Sequence, residues 1–300
     1  MSQAAETGLV DVCVNLMNSQ FRRDRSAVMA RAAAAMVSHI VITATDLAST
    51  RQAIEYCQNQ NQDQNQNRKK EQEHQHNTHP PFCVTTAGIH PHDAALDNLQ
   101  QNEPDWLEQL GILCSVDQVR AVGETGLDFH RQFVAHADQY QVFEQQIALA
   151  QKINKPLFVH DRDTHGAVLR TLQSAGPLPP VLIHCFTGTR QDLEDYLDAG
   201  YYIGLTGWIA DPERGQRLRE LAPLVPLERL MLETDAPFLK PKSIPADYHQ
   251  QIGLSSREKR RNEPGFLPFV IEAVAKATGQ SAAHIGKTTA ANAKRFFELD

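Results

Sequence analysis

The stretch Pro156–Arg162 reads PLFVHDR: an apolar run that stops on a histidine and then turns charged. A continuous rather than alternating apolar run is how a strand reads when both faces of its sheet are covered. The pattern repeats on both sides. Upstream lie Leu9–Asn15 (LVDVCVN), His39–Thr45 (HIVITAT), Phe82–Ile89 (FCVTTAGI) and Val119–Asp128 (VRAVGETGLD). Downstream lie Val181–Phe186 (VLIHCF), Tyr201–Gly207 (YYIGLTG) and Arg229–Asp235 (RLMLETD). Helical periodicity fills the intervals, over 24–36, 137–152, 190–199 and 212–221, with a final pair over 263–278 and 282–297. Eight strand–helix alternations predict an α/β fold, a single (β/α)8 TIM barrel occupying residues 9–300. A doubly wound open sheet is the competing arrangement, but no GxGxxG follows the first strand.

One tract breaks the rhythm. Residues 58–79 hold 12 Gln or Asn and no aliphatic or aromatic side chain. Such a composition supplies no core, so the tract is expected to be a disordered insertion. It falls between the second helix and the third strand, which puts it on the N-terminal face of the barrel. His74, His76 and His79 within it suit at most a weak metal site.

The 300 residues carry 29 Lys and Arg against 36 Asp and Glu, a net charge of −7. A protein that coats nucleic acid over a broad surface is usually basic, so binding to a polyanion here requires a local patch or a bound cation. There is no run of 18 apolar residues and no basic segment leading into an apolar one, so neither a membrane span nor a secretory leader is expected. Five cysteines without a CxxC spacing predict free thiols and a cytoplasmic location.

Residues with chemistry to offer collect at strand ends. Glu124, His160, His184 and Asp235 fall at or near the ends of the fourth, fifth, sixth and eighth runs, which in a barrel converge at the C-terminal mouth. Two histidines, a carboxylate and a second acid make a metal site with open positions. His90 and His92 end the third run one residue apart; capping of the next helix is the alternative role for His92. Arg162 is either a phosphate clamp or half of a rim Arg–Asp pair. Phe186, Trp208 and Phe238 follow three strands and either stack bases or pack the rim. Arg257–Arg261 (REKRR) either touches phosphate or forms a solvated rim.

Together these stretches resemble the TatD family of metal-dependent deoxyribonucleases, within the wider amidohydrolase-like barrels. The resemblance rests on NSQF (18–21), AGIHPHD (87–93), VGETGLDF (122–129) and HDRD (160–163). It continues through HCFTG (184–188), GLTGW (204–208), ETDAP (233–237) and RNEP (261–264). It implies that Glu124, His160 and His184 bind a divalent metal, with Mg²⁺ the expected ion and Mn²⁺ or Zn²⁺ compatible. It implies that Asp235 activates water and that His90 and His92 face the scissile phosphate. Arg162 and Trp208 would contact substrate. The implied activity is 3′–5′ exonucleolytic hydrolysis of single-stranded DNA, and of RNA too, in repair or turnover; nothing in the sequence demands a protein partner, so a monomer is expected. Many relatives carry His-x-His on the first strand, where this chain has Cys13 and Asn15. A soft thiol suits Mg²⁺ poorly, so Cys13 reads as buried packing and one tightly held ion is expected. The same barrel also serves amide, lactone or ester hydrolysis, or inert binding, and ligands alone do not separate these.

Overall fold

In a computed structural model, which describes residues 8–70, 79–256 and 258–299, eight parallel strands follow one another in chain order. They are β1 (Leu9–Val14), β2 (Val37–Ile42), β3 (Phe82–Ala87), β4 (Val119–Asp128), β5 (Leu157–Arg162), β6 (Val181–Ile183), β7 (Tyr202–Leu205) and β8 (Leu230–Leu232). The seam between β8 and β1 is closed by the segment just past β8. Asp235 N–H donates to the Cys13 carbonyl at 2.9 Å, and Asn15 N–H to that of Ala236 at 2.8 Å. Below them Thr234 donates its N–H and its hydroxyl to the buried Asp11 carboxylate, at 2.9 and 2.6 Å.

The last three strands are shorter than their apolar runs. Past Ile183 and Leu232 the chain turns, and Cys185 and Asp235 take left-handed backbone (φ 45° and 52°). Non-glycine residues pay for that geometry with roughly 1–3 kcal/mol and tend to occur at functional sites.

Strand alternation divides the interior into two layers. Val41, Val84, Phe158, Leu182 and Met231 form an apolar lower layer, plugged from the N-terminal face by Ala290, Ala293, Phe296 and Phe297 at the end of the chain. Two residues further along stand Thr86 and His160 on their strands and Thr43, His184 and Glu233 just past the ends of β2, β6 and β8. On β7 the corresponding step runs from Tyr202 to Gly204, where a Cβ would come within 2.9 Å of Glu233 Oε1. On β4 an extra residue between Val122 and Thr125 shifts the register against β5, so Glu124 rather than Gly123 occupies the upper layer. Gly123 is required there, since a Cβ would overlap the Phe158 carbonyl.

The helices cover the outside of the barrel and bury the larger apolar cluster, from Phe21 and Met29 through Phe143 and Tyr196 to Val274. Each such side chain contributes roughly 1.5–3 kcal/mol. The helix Arg190–Asp198 starts with a capping box between Thr189 and Asp192. Among the described residues no helix is long and apolar enough to cross a membrane.

The expectation of disorder over 58–79 fails for its first part. The helix beginning at Leu47 continues to Lys70. Asn61 is buried and grips β3 with both amide atoms, Nδ2 to the Cys83 carbonyl at 2.8 Å and Oδ1 from its N–H at 3.1 Å. An amide can anchor a helix by satisfying strand backbone, which composition alone does not reveal. The rest of the expectation, with His74 and His76, falls on 71–78, outside the described residues.

Candidate active site

Glu124 is the hub of the mouth. Its Oε1 lies 2.8 Å from His184 Nε2, 2.9 Å from His160 Nδ1 and 3.3 Å from His90 Nε2. Strand neighbours fix the backbone beneath: the N–H groups of His90, Glu124, His184 and Glu233 bond carbonyls of Thr45, Ala44, Val159 and Leu205. Ligand-type atoms gather in two adjoining sets, His90–Glu124–His160 and Cys13–His184–Glu233, each within 4.8 Å. The expected trio of Glu124, His160 and His184 therefore comes together but spans both sets.

Asp235 sits across the seam from this hub, its Oδ1 accepting from Asn15 Nδ2 at 2.9 Å and lying 3.5 Å from Cys13 Sγ. The expectation that Cys13 is only packing is thus half right. It is fully buried within the apolar interior, yet its sulfur also accepts from the Thr43 hydroxyl at 3.1 Å and borders Asp235. Burial pushes the Cys13 thiol well up, so it stays protonated beside the acids.

The histidines divide their work. His90 Nδ1 accepts the His92 N–H at 3.0 Å, so His90, not His92, caps the turn at 91–93. With Nε2 on Glu124, both His90 nitrogens are engaged, and burial holds its pKa below the ordinary value. His92 Nε2 meets Asp128 Oδ2 at 2.7 Å, while its side chain is 30% exposed. Asp128 also receives the Arg131 N–H at 2.8 Å and approaches His160 Nε2 to 3.5 Å.

The charges are mutually compensating. Burial pushes Glu124 up, but the charges of His184 and His90 and the histidine hydrogen bonds reverse this, holding it well below the usual carboxylate range. Burial pulls His160 and His184 down, but their carboxylate partners, Asp128 and Glu124 for His160 and Glu124 for His184, raise both above the ordinary histidine value. Asp235, with less compensation, is pushed up to about 7 by burial. His160 Nε2, His184 Nδ1 and Glu233 Oε2 are buried without a hydrogen-bond partner. A divalent cation fits this arrangement, because it would replace the histidines' positive charge and engage orphaned donor atoms.

Arg162 lies with its guanidinium 5.6 Å from the centre of the Trp208 ring. Both line a cavity of about 530 Å³ that also takes in Arg214 and Arg217. Asp163 pairs with His130 at 2.8 Å, and among the described residues Arg162 makes no ion pair with an Asp. Phe186 is buried edge-on against Tyr196 and is packing, whereas Phe238 is 47% exposed. Neither reading of the REKRR stretch holds at Arg261, which is buried in ion pairs with Asp24 and Glu263. Arg257 lies outside the described residues.

Sequence reasoning assigned no role to Asp11, Glu233, Gln139 or Gln146. Gln146 brackets the Ile89 backbone, and Gln139 the Asp128 backbone, each with both amide atoms. They fix the His90 and His92 loop and the β4 end. The available signals were an acid inside the apolar LVDVCV strand and two amides on the core-facing stripe of the helix His136–Ile153.

A family described as "TatD related DNase" matches residues 10–298. A protein of Pectobacterium carotovorum named 3′-5′ ssDNA/RNA exonuclease TatD is 39% identical over 292 residues, 97% of this chain and 100% of its own length. One of the same name from Edwardsiella piscicida is 41% identical over the same shares. The crystal structure of a TatD family hydrolase from Entamoeba histolytica superposes with a TM-score of 0.80 at 26% identity, covering 98% of this chain and 99% of that one. With matches running almost from end to end, this chain belongs to the TatD-related DNase family.

Proposed function

We infer that this chain is a metal-dependent nuclease that removes nucleotides from the 3′ end of single-stranded DNA and RNA. The observation that carries the reading is the hub at the barrel mouth: one buried carboxylate oxygen shared by three histidines, in a chain matched end to end by relatives named as such exonucleases. Glu124, His160 and His184 would hold the ion, with Asp235 and Glu233 beside them. Mg²⁺ is our expected ion, and Mn²⁺ or Zn²⁺ also suits a His/carboxylate set. When bound, a divalent cation supplies Lewis-acid polarisation of a phosphoryl oxygen and acidifies water.

The protein's own groups do the rest. Asp235, with its pKa raised to about 7, is matched to accept the proton of the attacking water near neutral pH. Asn15, donating to its Oδ1, fixes which oxygen remains for that proton. His92, held through Nε2–H by Asp128, would in its doubly protonated form give its Nδ1 proton to the leaving 3′-oxygen and end as the neutral imidazole. His90, with Nε2 facing Glu124 and Nδ1 holding the His92 N–H, would sit between the hub and the scissile phosphate and orient His92 toward it. Arg162 and Trp208 offer a cation and a ring for substrate. Five free thiols, four of them buried, support action in a reducing cytoplasm.

The test is digestion of a 5′-labelled single-stranded oligonucleotide by metal-stripped protein with no metal, Mg²⁺, Mn²⁺ or Zn²⁺. A metal-dependent ladder shortening stepwise from the 3′ end is expected. An intact oligonucleotide in every lane, with turnover of a small lactone or ester instead, overturns the reading.

A further inference from the structure

Among the described residues two phenylalanines are exposed, Phe133 at 65% and Phe238 at 47%, and both lie on loops leaving the C-terminal ends of barrel strands. Phe133 belongs to the loop between β4 and the helix His136–Ile153. That loop is fixed on both sides of the ring. Arg131 N–H is bonded to Asp128, His130 is paired with Asp163 of the neighbouring loop, and Val134 is buried. Phe133 is therefore held in place without being covered.

Its surroundings indicate what would cover it. The ring stands perpendicular to that of His92, with centroids 5.0 Å apart and planes at 80°, and at 65% exposure most of it faces solvent beside the site. The Arg131 guanidinium lies 5.9 Å from the same ring and makes no ion pair among the described residues. An exposed aromatic ring beside a cation with no carboxylate partner among the described residues suits a ligand that is both flat and anionic. Nucleotides meet that description, and stacking is sequence-tolerant because every base has a π-face.

We propose that Phe133 is the stacking platform for the base of a nucleotide flanking the scissile phosphate. The inference rests on the nuclease reading above. It also gives a physical basis for single-strand preference, because a base paired in a duplex must first unpair and unstack, at a cost in free energy, before it can lie on Phe133.

The experiment compares unaltered protein, Phe133→Ala and Phe133→Trp on three 5′-labelled oligonucleotides in Mg²⁺ or Mn²⁺. One is intact, one abasic at the 3′-terminal position, and one abasic at the penultimate position. On the intact strand, Phe133→Ala should lose about tenfold in kcat/KM, mainly through KM, and Phe133→Trp should keep it within about twofold. On one of the abasic strands the alanine variant and the unaltered protein should become equal. No loss in the alanine variant, or the same loss on all three strands, overturns the proposal while leaving the nuclease reading intact. Failure of the unaltered protein to shorten the intact strand defeats the nuclease reading and this inference with it.

Discussion

Phe158 and His160 are two residues apart on β5, as are Leu182 and His184 across the end of β6 and Met231 and Glu233 across the end of β8. The first of each pair lies in an apolar layer sealed by the end of the chain, and the second in a charged layer at the open mouth. Backbone and alternation are common to both layers; what differs is which end of the barrel each faces. The sealed layer gives the charged one its low-dielectric floor. Phe158 stacks on His184 with centroids 4.7 Å apart and planes at 25°, and Phe297 lies 6.4 Å beyond Phe158. Burial from below raises the cost of the Glu124 charge, and the histidines beside it offset that cost.

The sharpest way to separate the layers is Glu124→Gln. It removes the hub charge while keeping its shape, and should lower nuclease activity on the order of 10²–10³-fold. The thermal midpoint should fall, because His160 and His184 lose a buried partner, while the fold persists because the apolar layer is untouched. Loss of folding, read by circular dichroism, would show the layers to be one structural unit.

The converse change is Phe158→Ala. Chemical denaturation should report about 3–5 kcal/mol of destabilisation, the range for emptying a buried aromatic site. Activity should fall as well, through loss of the plane that orients His184. Full activity in the folded fraction would break the link between the layers.

At the seam, Asp11→Ala leaves Thr234 with unmet donors, and should cost about 1–3 kcal/mol. Adding Thr234→Val should cost less than the sum of the two single changes. Strict additivity in urea unfolding would show that these groups do not act together.

The smallest effect lies outside both layers. Asp24 is pushed up by burial, but the Arg261 hydrogen bond and charge more than reverse this and leave it below its ordinary 3.8. A carboxyl depressed in the folded state stabilises fully above its unfolded value and loses that contribution as pH falls through its folded value. Urea midpoints should therefore decline below about pH 4 by less in Asp24→Asn than in the unaltered protein, the difference being under about 1 kcal/mol. Parallel declines would remove Asp24 from the acid response.

The charged layer was largely legible because its members interrupt apolar runs at their ends. Glu124, His160 and His184 stand where continuous hydrophobicity stops, and barrel topology carries strand ends to one mouth. Asp11 escaped because it lies inside a run and its partner, Thr234, is distant in sequence. Gln139 and Gln146 escaped because amides on a helix read as surface until both atoms are found on loop backbone. Arg261 was misread because charge in a basic stretch says nothing about burial, and its partner Asp24 lies at the other end of the chain. Asn61 is the same lesson in a low-complexity tract, where one anchored amide outweighs the composition around it.

The most direct test of the account is calorimetric titration of Mn²⁺ into metal-free protein and its Glu124→Gln variant at neutral pH, in buffers of different ionisation enthalpy. The account predicts saturable binding to the unaltered protein with proton release, because a cation displaces the positive charge now held by the histidines. It predicts affinity weaker by at least about tenfold in the variant. Equal affinity in the two proteins, or no binding in either, would contradict the assignment of the hub as a metal seat.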